Sequence, residues 1–207
     1  GPQVQSPFRM ESQISLQKLV NEISSDMISA DNNNIDTKIK SMLQKTGEFF
    51  NVDRTYLLRY NEDRQLENNT HEWCANNINS DKDSITNIDF NKFPWWKQQV
   101  LSKSIIHIDD TSTLSDYAKI EKTEFERQGI KTLIYFPITN NGNLVGYFGF
   151  DSVKSHRKWK DNHKDIIIVL TNILGDTLIR VETEIELIRS KEMAEAASVA
   201  KSNFLSN

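Results

Sequence analysis

Residues 131–152 read KTLIYFPITNNGNLVGYFGFDS, and this stretch decides the fold. Two runs rich in β-branched and aromatic residues, 133–138 and 144–150, flank Asn140-Asn141-Gly142-Asn143. Asn-Gly between apolar runs predicts a tight hairpin, because both residues tolerate the positive φ that such turns require. Neither run alternates cleanly between apolar and polar, so the hairpin needs cover on both faces and belongs at the centre of a sheet. Pro137 has no N–H to give a ladder and is expected where the pairing already opens toward the turn. Gly146 and Gly149 leave gaps in the sheet surface, to be filled by a close-packed helix or by a ligand.

Outward from the hairpin, the chain reads as cover or as lever. Leu16, Leu19, Val20, Ile23 and Met27 fall at three-and-four spacing and predict an amphipathic helix over residues 14–29. Asp31-Asn32-Asn33-Asn34 breaks it, and Asn34 or Asp36 can cap a second helix carrying Ile35, Ile39, Met42, Leu43, Thr46 and Phe50 on one face. Residues 55–60 predict a strand, 61–63 a turn, and 65–75 a polar returning strand that ends in His71-Glu72-Trp73-Cys74. Residues 76–91 hold no glycine and no periodicity, which predicts a long loop of the kind that is functional or mobile. Pro94 opens a short helix over 95–102, a brief strand follows at 105–108, and a second short helix over 115–128 stops at Gly129.

From Asp161 onward there is no proline and one glycine, Gly175. Ile167, Leu170, Leu174, Leu178, Val181, Ile185 and Ile188 alternate three and four apart; Met193, Ala197, Ala200 and Phe204 continue the spacing in a displaced phase. So narrow a seam is coiled-coil spacing, and the phase change is a stutter. The first half of this helix, to about Leu178, can lie on its own sheet. The second half has no apolar surface of its own chain left to cover, which predicts a parallel homodimeric helix pair.

Composition sets the outer bounds. A chain of 207 residues allows one or at most two domains, and 37% hydrophobic with 26% charged residues suits a soluble globular domain, here of the α+β class, carrying long solvated helices. A net charge of −4 and a pI near 5.6 argue against nucleic acid as a partner. No apolar run approaches the roughly 20 residues of a membrane span, and a single cysteine points to a reducing, cytoplasmic setting. The leading residues, through about Phe8, look like a cloning scar. Residues 1–10 are therefore set aside as tag or linker, 11–180 form the globular domain with its N-terminal helix, and 181–207 form the projecting helix.

The order of elements, with Leu16–Ser24, Val52-Asp53-Arg54-Thr55-Tyr56, His71-Glu72-Trp73-Cys74, Phe93-Pro94-Trp95-Trp96, Ile106-His107-Ile108-Asp109-Asp110 and Asn143–Ser152, resembles a GAF domain of bacterial sensor histidine kinases. The resemblance implies a central antiparallel sheet with N- and C-terminal helices on one face, and a pocket roofed by short helices and loops on the other. Residues 195–207, EAASVAKSNFLSN, are similar to the lead-in to a phosphoacceptor helix; no phosphoacceptor histidine or ATP-binding part follows within the chain. A non-catalytic sensory input domain of a two-component system is the function this implies. It would bind a small molecule or a partner and pass the signal through Leu178, Val181, Ile185, Ile188, Met193, Ala197 and Ala200. The alternative is a structural dimerising spacer whose pocket is filled by its own side chains.

The expected pocket draws on Trp73, Trp95, Trp96, Tyr135 and Tyr147, flat walls that suit a planar or cationic ligand, although aromatics also simply fill cores. Adjacent Trp95 and Trp96 cannot both face one way on a helix. Asp151 ends a central strand, where it can anchor a polar ligand group or, more simply, cap the turn that follows. Cys74 and His71 make at most half a metal site, so no metal is expected. GAF domains that hold linear tetrapyrroles attach them through a cysteine in the helical roof; Cys74 lies on a strand and reads as an inert thiol. The cofactor, if there is one, stays unnamed at this level, and no nucleophile with a paired base supports an enzyme.

Overall fold

A computed structural model describes residues 2 and 6–207. Of the leading segment expected to be a tag, residues 1 and 3–5 lie outside the described residues. The first helix, α1 (Pro7–Ile28), reaches back into that segment, about two turns before the predicted start. Ser6 is its N-cap and Pro7 sits at N1, where a missing N–H loses no helical bond. The break after it is built by Asp31, whose Oδ1 accepts from the N–H groups of Asn33 at 2.8 Å and Asn34 at 3.1 Å. Helix α2 (Ile35–Phe50) follows with Asn34 as N-cap residue, and it ends at Asn51 in the left-handed conformation, φ 52°.

Strands β1 (Arg54–Asn61), β2 (Leu66–Cys74), β3 (Ile88–Asp89), β4 (Ile106–Ile108), β5 (Thr132–Asn140) and β6 (Asn143–Ser152) form one sheet in the order β3-β2-β1-β6-β5-β4. Every recorded pairing is antiparallel. The hairpin β5–β6 turns through Asn141 (φ 51°) and Gly142 (φ 78°), with Asn140 opposite Asn143. Positive φ at both turn residues is the geometry whose twist matches the flanking strands. Pro137 lies on β5 beyond the reach of β4, which pairs only with Leu133, Ile134 and Tyr135 on that edge. The loop after β2 carries β3, and α3 (Pro94–Leu101) and α4 (Lys119–Arg127) lie where short helices were expected. Gly129, at φ 72°, follows α4 as its stop.

Both faces of the sheet are buried, each by its own cluster. On one face Leu57, Ile134, Phe136, Phe148 and Phe150 meet Ile23 and Met27 of α1, Ile39 and Leu43 of α2, and Ile167, Leu170 and Leu174 of α5 (Asp161–Ser206). On the other, Tyr56, Leu58, Leu133, Tyr135 and Tyr147 meet Trp96 and Val100 of α3 and Phe125 of α4. Period two along each strand thus assigns alternate residues to two different cores.

The two sheet glycines differ from expectation. A Cβ at Gly149 would stand 2.3 Å from the Tyr56 ring, and one at Gly146 would stand 2.1 Å from the Leu58 carbonyl oxygen. Their gaps are filled by the neighbouring strand itself, not by a helix or a ligand. The close helix approach falls instead at Gly175 of α5, where a Cβ would come within 2.9 Å of Ile138 on β5.

Helix α5 runs unbroken for 46 residues. Leu178 and Val181 are its last buried apolar side chains, and Arg180 donates from Nη2 to the carbonyls of Met27 and Ala30, both at 2.9 Å, closing the C-terminal end of α1. Beyond them Leu187, Ile188, Met193, Val199, Phe204 and Leu205 are all more than half exposed. No helix among the described residues is long and apolar enough to cross a membrane.

Candidate functional site

The face opposite the long helices holds a cavity with about 550 Å³ of atom-free space, counting its open mouth. Its floor is Leu58 of β1, Glu67 of β2 and Tyr135 of β5. Phe93 and Trp96 close one side; Glu121, Glu124, Phe125 and Gln128 close another; Ser84, Ile85 and Ile88 of the loop after β2 complete the wall.

Each of these side chains is held by identifiable local structure. Pro94 starts α3, and its first free N–H groups are capped from a distance: Glu121 Oε1 accepts from Trp95 N–H at 3.0 Å and Trp96 N–H at 3.1 Å. A carboxylate at a helix N-terminus satisfies orphan donors and complements the helix dipole, so α4 locks the pose of α3. The Trp96 ring then stands nearly perpendicular to Tyr135 (centroids 5.1 Å, 87°) and to Phe125 (5.9 Å, 76°). Glu124 is engaged with Arg127 at 2.6 Å and with Gln128 at 2.9 Å.

Glu67 is different. Its residue is 6% exposed, its neighbour Ile88 is on the paired strand, and the Trp96 side chain lies beside its carboxyl. Burial pushes its carboxyl up to about 8, with the Trp96 contact pulling slightly the other way. A group so placed spends much of its time protonated at neutral pH, unless a cation joins it.

Beneath the cavity runs a buried polar chain. Tyr56 Oη is 2.5 Å from both Tyr135 Oη and Asp151 Oδ1. With one proton per hydroxyl, the consistent assignment has Tyr135 donating to Tyr56 and Tyr56 donating to Asp151. Asp151 is 2% exposed; desolvation raises its carboxyl to about 7 although Arg54 Nε lies 3.4 Å from Oδ2 and opposes the rise. The Arg54 guanidinium also donates to Asn79 O at 3.0 Å, Asp81 Oδ2 at 2.9 Å and Gln128 O at 2.8 Å. One side chain on β1 therefore ties the loop after β2 and the C-terminal end of α4 to the centre of the sheet.

Of the residues expected to line a site, Trp96 and Tyr135 do so. Trp95 is half-buried against the same cluster, and Tyr147 is buried beneath it, donating to Val100 O at 3.1 Å. Asp151 reaches the cavity only through Tyr56 and Tyr135. It does not cap the following turn either: Asp53 does, accepting from Val153 N–H at 2.6 Å and Lys154 N–H at 2.9 Å. Trp73 is on the other face, packed where a Cβ on Gly47 would stand 2.2 Å from its ring. Its placement follows from register, since odd residues at that end of β2 point toward α2. Glu67, Glu121, Phe125 and Arg54 were not anticipated. For Glu67 a signal existed in the polar strand 65–75, whose two acids, Glu67 and Glu72, could have been placed by counting pleats once the register was known.

Cys74 donates to Glu72 Oε1 at 3.2 Å, and burial raises its thiol to about 12, so it is a poor nucleophile. It does not line the cavity, and the site therefore does not fit a thioether-linked tetrapyrrole. Among the described residues no cluster of three metal-ligating side chains occurs.

A curled antiparallel sheet with helices on one face, a roofed cavity on the other and a continuous helix leading out defines a sensory-type α+β domain. Residues 34–178 match the GAF domain family, and the chain belongs to it. It is 24% identical over 167 residues to the methanogenesis regulatory histidine kinase FilI of Methanothrix harundinacea (strain 6Ac); the match takes in 77% of this chain and 18% of that protein. Among solved structures it is similar to the phycocyanobilin-bound GAF domain of a cyanobacterial phytochrome, with a TM-score of 0.66 at 12% identity over 82% of this chain and 96% of that one. The GAF domain of a phosphoenolpyruvate-protein phosphotransferase from Coxiella burnetii also gives 0.66, at 14% identity over 83% and 96%.

Proposed function

We propose that this chain is the sensory input of a histidine kinase, in which a ligand held non-covalently in the cavity biases the pose of α3 and α4 on the sheet, and α5 carries the bias outward. The observation that carries this reading is the continuity of α5. It is buried against β5 at Leu170 and Leu174, shares Arg180 with the end of α1, and extends as one rigid helix well past the last residue it buries at Val181. A change in how the sheet seats α5 must move its far end. The exposed apolar residues there, Ile188 and Met193 with the small Ala197 and Ala200, suit a paired helix across a second copy. The phase break between Ile188 and Met193 is the natural two-state element. The relation to a histidine kinase supports the setting, and the open cavity weighs against the spacer alternative.

Sedimentation equilibrium of the 207-residue chain and of a truncation after Ile188 tests the helix pair. A dimer that weakens on truncation is expected. A monomer at high concentration, unchanged by truncation, would refute the lever.

A further inference from the structure

We infer that the cavity is built for a small organic cation with a compact apolar body, and that Glu67 is its counter-ion. This rests on the ligand-binding reading above and goes further by naming the chemical class. Three carboxylates, those of Glu67, Glu121 and Glu124, line the cavity, and no lysine, arginine or histidine does. Two of the three are committed: Glu121 to the N-terminus of α3, and Glu124 to Arg127 and Gln128. Among the described residues no salt bridge involves Glu67, whose residue is only 6% exposed and whose carboxyl has the Trp96 side chain beside it. A buried carboxyl held over open space without a cation is costly unless something else completes it.

The rest of the wall tells which cation. Trp96 stands perpendicular to both Tyr135 and Phe125, with Phe93 beside them, so a guest meets aromatic surface from several directions. Rings that wall a cavity with a carboxylate at its floor favour an ammonium or methylated amine over a strongly hydrated metal ion, because the ring quadrupole attracts a weakly hydrated cation. An anion would meet three carboxylates. The groups facing Glu67 from the packed elements are Tyr60 of β1, Tyr135 of β5, Tyr147 of β6, and Glu121 and Glu124 of α4; none supplies positive charge. Entry of a cation must then ionise Glu67, and its proton leaves to solvent.

The test uses the 207-residue chain and three probes of similar size: benzyltrimethylammonium, benzyl alcohol and benzoate. Tryptophan fluorescence reads binding, and calorimetry in two buffers of different ionisation enthalpy reads proton release. The cation is expected to bind at least about tenfold more tightly than the other two, a difference of about 1.4 kcal/mol. Its affinity should rise with pH between about 6 and 8, with close to one proton released near pH 7, following the raised carboxyl of Glu67. Glu67→Gln should lower cation affinity about tenfold or more and flatten its pH dependence, leaving benzyl alcohol unaffected. Trp96→Phe, which keeps a ring but loses the indole, should weaken the cation by a smaller factor. Binding of the alcohol or benzoate in preference to the cation, or a Glu67→Gln chain that binds the cation as tightly as the parent, overturns the charge assignment alone. Failure of all three probes overturns the cavity as a ligand site, and the sensory reading falls with it.

Discussion

The two faces of this sheet are made by the same strands and bury comparable aromatic bulk, yet they are built on opposite principles. Toward α1, α2 and α5 the strands present Leu57, Ile134, Phe136, Phe148 and Phe150, apolar side chains fully covered by apolar side chains. Toward α3 and α4 the alternate residues are Tyr56, Tyr135 and Tyr147, with Asp151, Arg54 and Glu67 buried nearby. The first face gains its stability from apolar burial. The second holds ionisable groups whose burial opposes folding, and they surround the aromatic-walled cavity. Cost concentrated on one face marks where binding is done.

The largest effect that separates the faces is expected at Arg54. Arg54→Ala leaves Asp151 buried without its cation and frees Asn79, Asp81 and Gln128 from their shared donor, which should destabilise the domain by about 3–5 kcal/mol. Chemical denaturation checks this, and a loss well under 1 kcal/mol would mean that Asp151 carries no charge in the native state. On the apolar face, Leu174→Ala removes a fully buried side chain of α5 and should cost about 2–5 kcal/mol. The two substitutions should differ in character more than in size: the loss at Leu174 should be independent of pH, and the loss at Arg54 should shrink once Asp151 is protonated. The Asp151 carboxyl is raised to about 7 with Arg54 beside it and rises further without it, so the loss should grow as pH rises above about 7 and shrink as pH falls toward it.

Gly149→Ala comes next. Its methyl group would stand 2.3 Å from the Tyr56 ring, and Tyr56 cannot retreat without leaving Tyr135 and Asp151. A loss of about 1–3 kcal/mol is expected, with displaced Tyr56 resonances as the direct readout. Unchanged Tyr56 chemical shifts would show that the ring is free to move and that the chain of hydroxyls is looser than its distances imply.

Much of this was legible before any coordinates. The Asn141-Gly142 turn, the two-faced hairpin, the order of elements and the division of α5 near Leu178 all follow from local chemistry and periodicity, which act over a few residues. The site was legible only in part. Trp96 and Tyr135 could be named because the family resemblance implies a pocket between the sheet and the short helices, and flat aromatic side chains suit its walls. Trp73 was misplaced because facing depends on the register of β2 against β1, and that register shifts between Leu57 and Leu58. A one-residue slip sends every later side chain to the other face. The same slip hides Glu67, which in sequence is one acid in a polar strand and in the fold is the floor of the cavity. Gly146 and Gly149 misled for a related reason: their partner is the adjacent strand, which no pattern within β6 can reveal.

The smallest effect is also the most specific to the second face. In the folded chain the Glu67 carboxyl is raised to about 8 by burial, against an ordinary value of 4.5 when the chain is unfolded. Its native form is therefore favoured while it is protonated: the contribution is fully present below about 4.5 and is lost as pH rises through about 8. Glu67→Gln removes that loss because an amide stays neutral. The two chains should melt together near pH 4 and diverge with rising pH, the glutamine chain becoming the more stable by pH 8, where every other titrating group is common to both and cancels in the difference. Substitution of the cluster's own apolar side chains cannot produce this pattern, since none of them ionises. If the melting difference stayed flat from pH 4 to pH 9, Glu67 would be solvated in the native state, and the contrast between the two faces would reduce to one of shape. A divergence that vanishes when benzyltrimethylammonium is present would instead show the same carboxylate being stabilised by the cation it lacks, since ligand binding favours only the folded state.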